Sequence, residues 1–466
     1  MPQPITYTNK LFSFLTLFKQ AIRGDQHEYT SGSIRKAVFM LAIPMILEMC
    51  LESVFAVVDV FFVGRIGKEA VSTVVLTESV LTILYSAAIA FGMGATAMVA
   101  RRVGEKNFEA AAKAGAQAIN LGLMIAALIS ILGLFFAKNI LQMMGASEHV
   151  LAIGVPYTRI VFGSSVVILL LFLINGVFRG AGNASIAMRS LWFANICNII
   201  LCPILIHFYG LKGAAMATAI GRGLGVCFQV YYLFNGKNIL KITLKHFGLD
   251  WKIIKALFDI SWVGFMQFFI GSASWMVMAR ILTSFNDDAA IAGYGLAIRI
   301  VMFFLLPAWG LSNAAATLTG QNLGAGQPQR AEESVLKTAK YNAIFMVVVT
   351  VIFLFFSQFI VSFMNKDEAV KLYAVQALRI VSAGYIFYGI GMVLTNAFNG
   401  SGDTKTPTYI NLFGFWFFQI PLAYLLAITF DLGPMGVFIA IPVSETAITI
   451  AAYILFKKGR WKKTKI

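Results

Sequence analysis

Three carboxylates, Glu48, Glu52 and Asp59, stand four and seven residues apart in one apolar segment that also contains Pro44. At about 100° per residue they share one face of a helix. A carboxylate inside an apolar span is costly unless it faces a cavity or a partner. Burial favours the neutral form of any carboxyl, which suits such a group to taking up and releasing a proton. The competing explanation is structural pairing with a basic residue on another helix. Pro44 removes one backbone hydrogen bond and permits a bend just before the acidic face.

A second polar set follows. Asn175 ends one apolar stretch, Asn195 and Asn198 lie on the next with Cys202 and Pro203 beyond, and Thr218 comes early in the one after. Amides and hydroxyls donate to anions or accept from cations, so they suit a hydrated ion pocket. They also join helices, and each taken alone is better explained that way. Glu78, Arg222 and Glu445 are further charges within apolar stretches; gating and pairing both remain open for them. Arg280 and Arg299 lie near span ends and are expected to snorkel. Arg159 and Arg379 are read as scaffold anchors.

The elements that must hold these groups are membrane helices. The chain is 59% hydrophobic and 12% charged, with a mean hydropathy of +0.79; a soluble domain carries about a quarter charged residues. Runs long enough to cross the hydrocarbon, roughly 20 residues each, number twelve. They fall near 37–64, 71–99, 115–137, 150–177, 190–209, 213–235, 257–284, 289–318, 341–364, 371–397, 408–430 and 433–456.

The runs form two sets of six, and a sequence repeat matches that division. Arg159-Ile160-Val161 returns as Arg379-Ile380-Val381, and Phe178-Arg179-Gly180-Ala181-Gly182 as Phe398-Asn399-Gly400-Ser401-Gly402, with Gly104 matching Gly324. All three anchors recur at one and the same interval. At that spacing Asp59 falls opposite Ala279, so the acidic face is not duplicated. The expected fold is an all-α integral membrane protein of twelve spans. Its two six-helix lobes would be related by a pseudo-two-fold axis along the membrane normal, with a cavity between them. The expected organisation is an N-terminal segment 1–36, a first lobe 37–235, a basic connector 236–256, a second lobe 257–456 and a basic tail 457–466.

The net charge of +16 does not signal nucleic acid, because of where it lies. Arg101, Arg102, Lys106 and Lys113 in one loop region match Arg330, Lys337 and Lys340 in the other half, and Lys237, Lys241, Lys245, Lys252 and Lys255 fill the connector. The opposite loops hold Asp287, Asp288 and Asp431. By the positive-inside rule both termini and the connector are cytoplasmic, in a multi-pass protein of the cell (inner) membrane. Anionic lipid is a secondary partner of the basic segments. Residues 1–36 lack a signal peptide's apolar core; Lys10, Leu11, Phe12, Leu15, Phe18 and Lys19 suggest an interfacial helix. Ser31-Gly32-Ser33 marks the start of the next helix. Cys50, Cys197, Cys202 and Cys227 form no metal-ligand pattern and read as small buried side chains.

Several motifs resemble the multidrug and toxic compound extrusion family over about residues 33–456. They are Ile43-Pro44 through Val58-Asp59-Val60-Phe61-Phe62-Val63-Gly64, Gly92-Met93-Gly94, Gly213-Ala214-Ala215-Met216-Ala217-Thr218 and Gly320-Gln321-Asn322-Leu323-Gly324-Ala325-Gly326. The resemblance implies cation-coupled efflux of amphipathic, often cationic small molecules by rocking of two lobes. It implies that Asp59 takes up the coupling ion, with Asn198 and Thr218 in the same polar site and Pro44 bending the helix. It implies that Asn175 lines the cargo cavity; Glu52 falls where relatives carry an uncharged residue facing it, and Glu48 shares its face.

Two departures bear on the ion. Cys202 stands where some relatives have a second aspartate, and a thiol is a poor ligand for a hard cation. The seventh span has only Gln267, Ser272 and Ser274 where other branches carry a carboxylate. Protons are therefore expected over sodium, with no prosthetic cofactor, and a two-lobe transporter can act as a monomer. The alternative is a lipid-linked oligosaccharide flippase of related architecture, against which the acidic face argues. An enzyme is not expected: HExxH, GxSxG and GxxxxGK[ST] are all missing, and His27, His149, His207 and His246 are scattered.

Overall fold

A computed structural model describes residues 7–24, 28–235 and 239–466, with side chains from residue 15 onward except that of Val60. His27, Lys237 and the side chains of Lys10, Leu11 and Phe12 lie outside the described residues. Among the described residues every regular element is helical. A helix α1 (Tyr7–Arg23) precedes α2 (Ile34–Gly64), whose N-terminus is capped by Ser33 accepting from the Lys36 amide. Then follow α3 (Lys68–Gly104), α4 (Phe108–Met143), α5 (Glu148–Gly163), α6 (Ser165–Gly180), α7 (Ala184–Tyr209) and α8 (Leu211–Phe234). The second half holds α9 (Trp251–Thr283), α10 (Asp288–Gly324), α11 (Pro328–Met364), α12 (Glu368–Ser382) and α13 (Tyr385–Ser401). The helices Lys405–Thr429 and Pro434–Lys457 complete it.

Among the described residues nine helices are long and apolar enough to cross a membrane, and α12 with α13, bent by 57°, makes a tenth. The expectation of twelve spans rests on α2 and α8, which are not among the nine. Two expected single spans are broken. The stretch 150–177 divides at Ser164, and 371–397 divides at Gly384, the equivalent position of the repeat. The Lys405–Thr429 helix widens to π geometry over Leu412–Gln419 and Leu425–Thr429. Pro421 lies between these stretches, and a proline inside a helix frees the carbonyl one turn back.

The repeat is reproduced in the packing. Gly104 lies against the Gln321 backbone, and Gly324 against the Arg101 backbone. Since 101 and 321 are themselves equivalent, α3 and α10 cross where a two-fold axis relates them. A Cβ at either glycine would enter the facing chain. Within the lobes, Gly180 abuts Thr96 as Gly400 abuts Ala316. Gly182 and Gly402 both turn with left-handed φ, 85° and 88°. Outward, Phe135 and its counterpart Phe355 are 74% and 75% exposed, as lipid-facing positions should be.

The lobes join at the end of the bundle that carries the basic loops. Thr317 donates to the Arg179 carbonyl at 3.1 Å and Gln321 to the Gly180 carbonyl at 2.9 Å. Arg330 reaches the carbonyls of Tyr29, Ser31 and Gly32, while Arg101 and Arg102 bind those of Thr464 and Ile466. The stretch before α9 is pinned to α4: Gln117 donates to the carbonyls of His246 and Gly248 at 2.7 and 2.8 Å. Helix α2 belongs to both lobes. Its first turns (Ala37, Leu41, Met45) pack with Leu311, Ala314 and Leu318 of α10, and Gly310 lets the Met45 carbonyl approach. Beyond Pro44 the same helix runs against α7 and α8.

Candidate functional site

The acidic face of α2 points into the first lobe, and its carboxylates occupy three levels with different partners. Nearest Pro44, Glu48 is 1% exposed. Its Oε1 accepts from Asn175 Nδ2 at 3.2 Å and lies 3.7 Å from Arg179 Nη1. Asn175 Oδ1 in turn accepts from Ser190 at 3.1 Å and Gln229 at 2.6 Å, closing a network across α2, α6, α7 and α8. One turn on, Glu52 Oε1 accepts from Arg222 Nη2 at 2.9 Å, and its Oε2 from Asn195 Nδ2 at 3.0 Å. Arg222 is 2% exposed and flanked by the rings of Phe55, Tyr85 and Phe172 at 5.4–6.0 Å. Those rings supply the attraction that its Nε and Nη1, which lack hydrogen-bond partners, do not find elsewhere.

Asp59 differs from both. Among the described residues its carboxylate has no ion pair, and its polar contact is the Cys202 thiol at 3.9 Å. Arg222 and Glu78 lie within electrostatic reach of it. Asn198 and Thr218 do not bond to Asp59; they bond to each other at 3.0 Å, with the Thr218 hydroxyl returned to the Ala214 carbonyl. Cys202, which contacts Asp59, lies one turn beyond Asn198 on α7.

A cavity of about 190 Å³ separates the lobes. Glu52, Arg179, Tyr85 and Met93 line it from the first half, Phe268 and Trp309 from the second. Of the four residues that the sequence points to at a cargo cavity, Glu52 lines this one. Glu48, Asn175 and Asn198 do not line it, and each is engaged in the hydrogen bonds just described. Pro44 is buried where α2 passes from the second lobe's packing to the first's.

Sequence reasoning left Arg222 without a role and did not single out Arg179, Ser190 or Gln229. Arg222 was visible as a lone cation between glycines in an apolar stretch. Arg179 carried a fainter signal: it is the position within the repeated Phe178–Gly182 motif where the second copy has Asn399. Ser190 and Gln229 carry no signal, since a single polar residue on an apolar helix is ordinary.

Comparison with known proteins agrees with this architecture. The MatE family model matches twice, over residues 44–204 and 264–425, and the two matches begin at equivalent positions of the repeat. The chain is 24% identical to the probable multidrug resistance protein YoeA of Bacillus subtilis (strain 168), across 93% of this chain and 96% of that protein. It is 26% identical to an FAD transporter of Shewanella oneidensis, across 93% and 97%. A solved outward-facing structure of a multidrug resistance MATE transporter shares the fold with a TM-score of 0.88, at 23% identity over 96% of this chain and 98% of that one. With the family model covering most of both halves and the same duplication in sequence, model match and helix packing, this chain belongs to the MatE family of multidrug and toxic compound extrusion transporters.

Proposed function

We propose that the chain is a secondary active antiporter that exports amphipathic, often cationic small molecules from the cytoplasm in exchange for protons, with sodium as the alternative coupling ion. It acts as a monomer, with both termini cytoplasmic, which makes the joined basic end the inner one and the cavity outward-facing. The observation that carries this reading is the difference among the α2 carboxylates. Glu48 and Glu52 each have an arginine, and Asp59 has none among the described residues. A carboxylate without a fixed cation is free to exchange its counter-charge with the medium. Uptake of the ion at Asp59 removes the charge that keeps this part of α2 beside Cys202 and within reach of Arg222. The helix then bends at Pro44, where the Met40 carbonyl has no amide to hold it, and the first-lobe side of the cavity shrinks.

Efflux of ethidium from proteoliposomes under separately imposed proton and sodium gradients tests the scheme, with FAD as an anionic comparison cargo. The proton gradient is expected to drive ethidium export, and Asp59→Asn to abolish it while leaving insertion and thermal stability intact. Undiminished transport by that variant removes Asp59 from the mechanism.

A further inference from the structure

The second lobe has no equivalent of Asp59, yet it contains an uncompensated carboxylate of its own. Glu445, on the Pro434–Lys457 helix, is 7% exposed. Among the described residues it has neither a hydrogen bond nor an ion pair. It faces a cavity of about 280 Å³ whose lining comes entirely from the second half. That cavity meets the central one through the shared residues Phe268, Leu306, Trp309 and Asn396. Among the described residues no Lys, Arg or His lines it, so nothing basic stands opposite the Glu445 carboxyl.

We propose that this cavity is a binding pocket for an aromatic organic monocation, with Glu445 receiving its positive charge. Three observations converge on that ligand. First, a cation bound in this pocket would favour the ionised form of Glu445, and the protein offers none there, since each arginine paired with the α2 carboxylates belongs to the other lobe. Second, Trp275, Trp309, Phe268 and Phe415 present ring surface around the same space, which attracts a weakly hydrated organic cation. Third, polar groups stand ready without partners. Asn399, 1% exposed, has both amide atoms unpaired, and Gln267, 3% exposed, has an unpaired Oε1. A small hard cation would favour an all-oxygen shell over these rings. The division of labour follows: coupling charge in the first lobe, cargo charge in the second. This rests on the efflux reading for its cargo, but the pocket can be tested without transport.

Ethidium is the probe, and its binding to the purified full-length protein is read by fluorescence anisotropy. Glu445→Gln is expected to weaken binding by about tenfold or more, and Glu445→Asp to stay within about threefold of the wild type. In the unaltered protein, ethidium is expected to shield Glu445 from an apolar carbodiimide, read by peptide mass spectrometry; this does not depend on any variant folding. Wild-type affinity in Glu445→Gln, or carbodiimide labelling that ethidium leaves unchanged, overturns the pocket alone and leaves Asp59-coupled efflux standing. A wild-type protein that binds no ethidium overturns both.

Discussion

Removing the Arg222 guanidinium would leave Glu52 beside a cavity with only Asn195 to neutralise it. The pair is nearly dry, with side-chain exposures of 3% and 20%, and breaking a buried pair on one side costs about 3–5 kcal/mol. Arg222→Leu is therefore expected to lower the midpoint of thermal unfolding in detergent, and Arg222→Leu with Glu52→Gln to recover most of the loss. If the double variant is as unstable as the single one, the aromatic surround rather than the ion pair holds Arg222. The same arithmetic explains what the sequence could and could not reveal at this scale. Carboxylates on an apolar helix are conspicuous because each is expensive, so Glu48, Glu52 and Asp59 stood out together. Which of them had a cation depended on Arg179 and Arg222, several helices further along the chain. No local pattern reports a contact of that range, and the separation of Asn198 and Thr218 from Asp59 was hidden for the same reason.

The element at issue is α2, which changes partners along its length. Its first turns are fixed to α10 by Leu41, Met45 and Gly310, while the carboxylates beyond Pro44 lie in the first lobe. Pro44→Ala restores an amide to the ladder and favours the straight form, by about 3 kcal/mol if the interior-proline cost is recovered in full. Gradient-driven ethidium efflux is expected to fall by about tenfold or more, with ethidium binding within about twofold of the wild type. Equal efflux would place the hinge elsewhere. A second element-level expectation concerns α9, whose N-cap Asp250 accepts from the amides of Lys252 and Ile253 and pairs with Lys113 Nζ at 2.6 Å. The Lys113 ammonium holds the Asp250 carboxyl below its usual value. A carboxyl lowered on folding contributes stability that is present above the ordinary Asp value of about 3.9 and lost as pH falls through the lower folded value. Hydrogen exchange at residues 251–254 should accelerate over that acid range, and Asp250→Asn should flatten the dependence. Helix positions were legible because apolar runs of this length have one solution in a bilayer. The breaks at Ser164 and Gly384 and the π stretches around Pro421 were not, since small residues and prolines within such runs are also tolerated unbroken.

At the scale of the whole molecule, the duplication read from Gly104 and Gly324 turns out to mark the contact on which the present conformation rests. These two glycines let α3 and α10 cross at backbone distance, each against the other's equivalent of residue 101 or 321. The hydrogen bonds that join the halves gather at the same end. A side chain at either glycine must separate the crossing, and overpacking of this kind costs typically about 1–3 kcal/mol. That cost falls only on the form in which the basic ends touch. By linkage it shifts the balance between closed and open basic ends by about 5- to 150-fold, without touching the carboxylates of α2. Gly324→Leu and Gly104→Leu should act alike, because the axis makes their surroundings equivalent. Spin labels on Lys106 and Gln327, read by pulsed dipolar spectroscopy, should report a longer separation in both variants than in the wild type. Two variants with wild-type distances would mean that the crossing is not what holds the basic ends together. A change in only one would mean that the two-fold relation of the helices does not extend to their energetics.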